Sequence, residues 1–269
     1  MTTEAAPWAL VCDPGIDDAV ALAVLAGLGA VPDLVVAVPG NVTPAVAARN
    51  AGGLVALLGL DVTVRAYAEP ELPARDGASH GEDGLGGVAG RLPPTDEPDR
   101  LELHELPRSL LVTGPLTCAA AGPAPERLLW MGGAVAEPGN VDGVAEFNAW
   151  CDPAADDEVL AAVPVAQLVP LDVTRRVRLR EQDLAALEAG GEVARLLAQA
   201  LRARPKLMVH DAVAAVAWLR PELFAWEAMG LRCDRTGALV PGPERVPVEV
   251  ALRVDVDAVR GAILAALLA

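Results

Sequence analysis

The chain has 269 residues, 53% hydrophobic and 22% charged, which is enough apolar material to bury one large core rather than several small ones. A formal net charge of -16 excludes nucleic acid and anionic membranes as natural partners, because phosphate-rich surfaces attract Lys and Arg rather than surplus carboxylate. What remains is a small, neutral or cationic partner.

Cys12, Cys118, Cys151 and Cys233 lie far apart and form no CxxC pair, so neither a zinc site nor a disulfide framework is expected, and a reducing cytoplasm is the simplest compartment. The opening MTTEAAPWALVCDPG lacks the basic and apolar regions of a signal peptide, and no uncharged run reaches the roughly 18 residues that span a bilayer. A cytoplasmic protein without a membrane partner is expected.

Short apolar runs at residues 8–12, 34–38, 62–66, 110–112, 128–131 and 165–169 alternate with longer Ala/Leu-rich segments of helical spacing. Continuous hydrophobicity in these runs predicts strands buried on both faces, as in a mostly parallel central sheet flanked by helices, an open Rossmann-like α/β fold in a single domain spanning residues 1–269. Polar loops follow the strands: Asp13-Pro14-Gly15-Ile16-Asp17-Asp18 after the first, Gly40-Asn41 after the second, Thr113-Gly114 after the fourth, Gly132-Gly133 after the fifth. In such sheets the site lies at the strands' carboxyl ends, so these loops are expected on one rim. Residues 68–98 read as a long functional loop containing His80-Gly81-Glu82-Asp83-Gly84. Residues 248–256 alternate like an extra strand of the sheet, and residues 257–268 have the spacing of a terminal helix.

Asp13, Asp17 and Asp18 leave a buried strand through a Pro-Gly turn and enter a helix, so three carboxylates gather within about one turn and raise one another's pKa. Helix capping by Asp17, a favourable helix-end charge at Asp18 and a turn role for Asp13 are one explanation. A hard divalent cation is the other, and calcium suits it better than zinc or magnesium, since no Cys/His spacing is present and magnesium leans on water and substrate phosphates.

The motifs CDPGIDDAVAL at 12–22, PGN at 39–41, HGEDGLGG at 80–87, TGPLT at 113–117, MGGAVAEPGNVDGVAEFNAWCDPAA at 131–155, PLDVT at 170–174 and HDAVAA at 210–215 resemble, in order, those of the inosine-uridine preferring nucleoside hydrolases. The resemblance implies a Ca²⁺-dependent hydrolase that splits a ribonucleoside into ribose and free base, using a water held on the ion and activated by Asp13. It implies metal ligation by Asp13, Asp18, Asp211 and the Thr113 carbonyl, with Asp17, Asn41, Asn140, Glu146 and Asn148 binding the sugar. His80 and His210 correspond to residues near the base that are candidates for protonating the leaving group, a task suited to imidazole. By the same resemblance the protein is a homodimer or homotetramer. Taken singly, Asp211 also reads as a helix cap, each Asn as a turn residue, His80 as a loop-ordering group and His210 as a support for the metal ligands.

Two departures from the family pattern stand out. Val11 occupies a position where most members carry a further acid, which puts calcium affinity or local order in question. Residues 175–209 are shorter than expected and hold no aromatic, so a platform for the base must come from elsewhere, with Phe147, Trp150, Trp218 and Trp226 the candidates. The alternative function is a degenerate homologue that binds calcium or a ribosyl ligand without catalysis. A phosphohydrolase with Asp13 as nucleophile is disfavoured, because no Gly-rich phosphate loop or suitably placed lysine accompanies it.

Overall fold

The computed structural model describes residues 6–69, 72, 79–204 and 206–269. The part of the expected 68–98 loop at residues 70–71 and 73–78 therefore lies outside the described residues, as do the first five residues and Pro205.

The chain begins with β1 (Ala9–Cys12), α1 (Ile16–Gly27), β2 (Leu34–Ala37), α2 (Pro44–Leu57) and β3 (Thr63–Ala66). After the long loop come β4 (Ser109–Val112), α3 (Thr117–Ala121), β5 (Arg127–Met131), α4 (Phe147–Cys151), α5 (Pro153–Ala162), β6 (Ala166–Val169) and α6 (Leu171–Thr174). The chain ends with α7 (Glu181–Glu188), α8 (Glu192–Arg202), α9 (His210–Leu219), β7 (Phe224–Cys233), β8 (Leu239–Pro241), β9 (Pro247–Val254) and α10 (Val256–Leu267).

These strands form one sheet in the order β3-β2-β1-β4-β5-β6-β9-β7-β8. Every pairing from β3 across to β9 is parallel, and β7 and β8 extend the edge antiparallel. The expected six strands and the extra one before the terminal helix are all present, with ends shifted by one or two residues. Val165, for instance, is exposed and precedes β6. Strands β7 and β8 were not anticipated.

Alternate residues of each central strand enter different cores, which explains the unbroken apolar runs. Leu10, Cys12, Val35, Ala37, Leu111, Leu129 and Met131 pack with α1, α9 and α10 on one face, while Ala9, Val11, Val36, Leu110, Val112, Leu128 and Trp130 pack with α3 and α5 on the other. Strand order reverses between β1 and β4, whose carboxyl ends carry Asp13 and Thr113. At such a reversal the outgoing connections diverge to opposite faces and leave a crevice.

Trp130 anchors the second core beneath this crevice. Its side chain is fully buried, and its Nε1–H donates to the Gly114 carbonyl at 3.1 Å, tying β5 to the loop after β4. Trp130→Ala is expected to lower unfolding free energy by about 3–5 kcal/mol, and Trp130→Phe by about 1–2 kcal/mol, because the second keeps most of the buried area and loses mainly the N–H bond. Urea denaturation of both variants checks the ordering.

Candidate active site

The site begins where β1 stops. Pro14 and Gly15 turn the chain from the sheet into α1, so Asp13 ends the strand while Asp17 and Asp18 occupy the first helical turn. All three are buried. Gly15 N–H donates to Asp18 Oδ2 at 2.9 Å, closing a helix-capping arrangement, so the capping explanation holds for Asp18 rather than Asp17. Thr113, arriving from β4, donates its hydroxyl to Asp18 Oδ1 at 2.8 Å.

Asn41, arriving from β2, donates its backbone N–H to Asp13 Oδ2 at 2.6 Å, and its side-chain amide reaches the Asp13 carbonyl at 3.3 Å and Asp18 Oδ2 at 3.4 Å. Asp211 lies in the first turn of α9 with no capping bond of its own, and the carboxyl groups of Asp18 and Asp211 lean on one another. The four acids thus come together from β1, α1 and α9.

Asp17, Asp18 and Asp211 each offer an oxygen lying within 4.8 Å of the others, a spacing that could hold a metal ion. Asp13 is adjacent to this trio rather than in it, so the tightest geometric group includes Asp17, which the resemblance assigns to the sugar. Asp13 Oδ1 and Asp17 Oδ1 are buried and accept no in-line hydrogen bond from the described residues. Burial first, then mutual repulsion, raises Asp13 and Asp211 well above the usual carboxylate range and Asp18 to about 7. At Asp17 burial acts the same way, but the Arg204 guanidinium and the two nearby histidines outweigh it and hold the carboxyl well below its ordinary value. An all-oxygen, mostly carboxylate set with orphaned lone pairs fits a hard cation, whose charge would reverse the upward shifts.

A cavity of about 190 Å³ is lined by Asp17 and Asp211 of the acid group together with Asn140, Glu146, Phe147, Asn148, His80, Arg204, Met208 and His210. Glu146 caps α4, its Oε2 accepting from Gly133 N–H at 3.0 Å and Ala149 N–H at 3.2 Å. Burial lifts its pKa to about 7 against the pull of those N–H groups. Asn148 spends its amide hydrogens on the carbonyls of Thr113 at 2.9 Å and Met131 at 3.0 Å, which leaves its Oδ1 for a ligand. The Thr113 carbonyl therefore already has one partner, with its second lone pair remaining.

Ile16 N–H donates to His80 Nδ1 at 3.0 Å, which puts the neutral ring's proton on Nε2. The loop carrying His80 is folded on the carboxylate of Asp83, which accepts N–H groups from Leu85, Gly87 and Ala89 at 3.0, 2.9 and 2.9 Å. Asn50 of α2 clamps it by donating to the Asp83 and Pro14 carbonyls at 2.9 and 3.2 Å. His210 pairs through Nδ1 with Thr174 Oγ1 at 2.7 Å, and burial lowers its pKa to about 4.

Every site residue expected from the sequence is accounted for here: Asp13, Asp17, Asp18, Asn41, His80, Thr113, Asn140, Glu146, Asn148, His210 and Asp211 converge on one crevice. Of the four aromatic candidates, Phe147 lines the cavity and stacks on Trp150, with ring centroids 6.1 Å apart. Trp218 packs instead on Trp8, and Trp226 on Phe224. Val11 is wholly buried between Val36 and Val112 in the second core, so apolar packing fills the position where an acid was expected.

The sequence reading missed Arg204, Met208 and Ser79 as lining residues. It also missed the part played by Asp172, whose carboxylate gathers the N–H groups of Val135, Ala136 and Glu137 at 2.9, 2.7 and 3.2 Å and so shapes the loop that carries Asn140. Asp172 lies in the PLDVT motif, which was a usable signal. Arg204 follows α8 in a segment without a motif.

Comparison with known proteins agrees with this geometry. The family model of the inosine-uridine preferring nucleoside hydrolases matches residues 9–261. The pyrimidine-specific ribonucleoside hydrolase RihA of Shewanella oneidensis is 36% identical over 81% of this chain and 79% of its own length. The non-specific ribonucleoside hydrolase RihC of Klebsiella pneumoniae is 34% identical over 93% of this chain and 94% of its own. Among solved structures, the plant nucleoside hydrolase PpNRh1 shares the fold with a TM-score of 0.86 at 23% identity, covering 98% of this chain and 99% of that one. The inosine-uridine preferring nucleoside hydrolase of Bacillus anthracis does so with a TM-score of 0.80 at 21% identity, covering 97% and 99%. The chain belongs to the inosine-uridine preferring nucleoside hydrolase family and is a hydrolase acting on N-glycosyl compounds.

Proposed function

We propose that the protein is a single-domain, calcium-dependent N-ribohydrolase that cleaves a ribonucleoside into ribose and free base. The observation that carries this reading is the gathering of Asp13, Asp18 and Asp211 from three separate elements beside a cavity lined by Asp17, Asp211, Asn140, Glu146 and Asn148. Cytoplasmic residence and a homodimeric or homotetrameric state belong to the same reading. Its support is the family match and the four buried free cysteines.

Asp13, Asp18, Asp211 and the Thr113 carbonyl would hold the calcium ion, with Asp17 within reach of the same place. When bound, calcium supplies positive charge that keeps these acids ionised and polarises water and sugar hydroxyls.

Asp13 is the base. Its Oδ2 is fixed by Asn41 N–H, while Oδ1 has no donor and takes the proton of the attacking water. The ribose hydroxyls are received by Asp17, Asn41, Asn140, Glu146 and Asn148, whose polar atoms fix the ring before any bond breaks. As the C–N bond stretches, the sugar gains oxocarbenium character, and the surrounding carboxylates stabilise that charge more than the neutral ground state. At the leaving base, His80 offers a proton on Nε2, and His210 acts as a neutral ring at pH 7, because its pKa lies near 4.

Asp13 also depends on a residue with no side chain. A Cβ built at Gly40 would lie 2.1 Å from Asp13 Oδ2, so any larger residue pushes the carboxylate out of position. Ribose release from a nucleoside panel is the measurement. Asp13→Ala should lower kcat on the order of 10³-fold or more with the fold kept, and Gly40→Ala about 10²-fold through misplacement of the same group. Undiminished turnover in Asp13→Ala would sink the assignment of the base.

Chelation followed by dialysis should abolish release, with calcium restoring it better than magnesium. Release that survives chelation would remove the metal from the proposal. Absence of release from every nucleoside, with calcium present, would favour a homologue that binds a ribosyl ligand without cleaving it.

A further inference from the structure

The mechanism above gives Asp17 a ribose hydroxyl, yet Asp17 also belongs to the trio of acids whose oxygens lie within 4.8 Å of one another. What separates these two uses is the partner each carboxylate meets. Asp18 is tied down by Gly15 N–H at 2.9 Å and by the Thr113 hydroxyl at 2.8 Å, and Asp13 by Asn41 N–H at 2.6 Å. Asp17 meets a cation instead. Arg204 Nη1 lies 2.8 Å from Asp17 Oδ1, and the two side chains are only 11% and 6% exposed. The approach is oblique to the N–H directions, so the contact holds by charge rather than as an in-line hydrogen bond. His80 Nδ1 lies 3.7 Å from the same oxygen, but in the neutral ring its lone pair already receives Ile16 N–H, so it brings Asp17 no proton.

Backbone packing fixes where the guanidinium stands. Arg204 follows the last turn of α8, its N–H donating to the Leu201 carbonyl at 2.9 Å. That end of α8 rests on Gly86 of the His80 loop, where a Cβ would lie 2.7 Å from Ala203 Cβ and 3.3 Å from Ile16 Cδ1. The bare glycine lets α8 close down beside α1, in which Ile16 precedes Asp17. Arg204 is the one Lys or Arg among the described residues lining the cavity, in a protein whose net charge is -16. Its charge therefore falls against the acid assigned to the sugar, and not against Asp13, Asp18 or Asp211. A buried carboxylate paired in this way attracts a second cation less and loses its partner if it turns away.

Resting on the nucleoside hydrolase reading for the ligand and on calcium for the ion, we propose that Arg204 is a positioning residue that reserves Asp17 for the sugar, holding its carboxylate at the cavity and off the metal. Arg204 acts through Asp17 and needs no contact with the ligand. Its loss removes a positive charge and frees a further carboxylate for the ion, so calcium affinity rises while sugar binding falls. Opposite signs distinguish this role from a structural one, which weakens both. General compensation of the acid group is also distinct, since it changes calcium affinity alone.

The test is a double-mutant cycle read by calorimetry, with Kd measured for calcium and, at saturating calcium, for a C-nucleoside whose carbon–carbon glycosidic bond resists hydrolysis. Arg204→Met should tighten calcium about tenfold and weaken the C-nucleoside by roughly 10- to 100-fold. In an Asp17→Asn background the same change should move C-nucleoside affinity by less than about threefold, because the residue through which Arg204 acts is already altered. Arg204→Gln, polar but uncharged, repeats the cycle if the Met variant folds poorly. Equal losses of C-nucleoside affinity in both backgrounds would overturn the proposal, as would unchanged affinity in the Asp17 background or calcium affinity that fails to rise. A wild type that binds both ligands but releases no ribose from any nucleoside defeats the hydrolase reading alone, and the cycle still decides the role of Arg204. A wild type that binds neither defeats both.

Discussion

Crowded negative charge at the end of one buried strand is the constraint on which the rest of this molecule turns. Asp13, Asp17, Asp18 and Asp211 are all removed from water, and three of them are pushed far towards the neutral form by burial and by one another. Such an arrangement is unfavourable for folding by itself. It persists because the surrounding structure leaves the chain no other path, and because a bound cation would turn the same repulsion into affinity.

The parallel sheet provides the rigidity. Its strands carry alternate residues into two separate cores, so β1, β2 and β4 are fixed on both faces, and their ends bring Asn41 within hydrogen-bond reach of Asp13 and Thr113 within reach of Asp18. The reversal of strand order between β1 and β4 opens the crevice at that place. Loops that lack a strand's support are held by single carboxylates that collect backbone N–H groups: Asp83 for the loop bearing His80 and Asp172 for the loop leading to Asn140. An ionised carboxylate accepting several N–H bonds is a compact way to rigidify an irregular loop.

Divergence from the family pattern is concentrated where the acid cluster does not reach. Val11 points away from the site into the core shared by Val36 and Val112, so the hydrophobic residue is compatible with the same strand ending in the same aspartate. The segment between α6 and α9 still forms two helices, α7 and α8, but brings Arg204 and Met208 to the cavity instead of an aromatic ring. Phe147, stacked on Trp150, is left as the flat apolar surface on that wall. Most of the cavity lining thus comes from motif residues, while Arg204 and Met208 come from a segment without a motif.

Much of the architecture could be read directly from the residues. Unbroken apolar runs followed by Asp, Asn, Thr and Gly predicted the six parallel strands and the rim that collects their loops, since burial on both faces permits little else and polar groups can leave such a sheet only at its ends. The acid cluster was legible because its members are neighbours in sequence or lie in motifs. Strands β7 and β8 were not, because most of β7 is partly exposed and its run from Phe224 to Cys233 mixes Glu, Arg and Gly with apolar residues, a pattern that only pairing with β9 makes a strand. Arg204 was equally invisible: nothing in its local sequence separates it from the other arginines. Its place beside Asp17, 187 positions earlier in the chain, exists only after α8 and α9 have packed against α1, because charge proximity is a property of the folded chain and not of residue order.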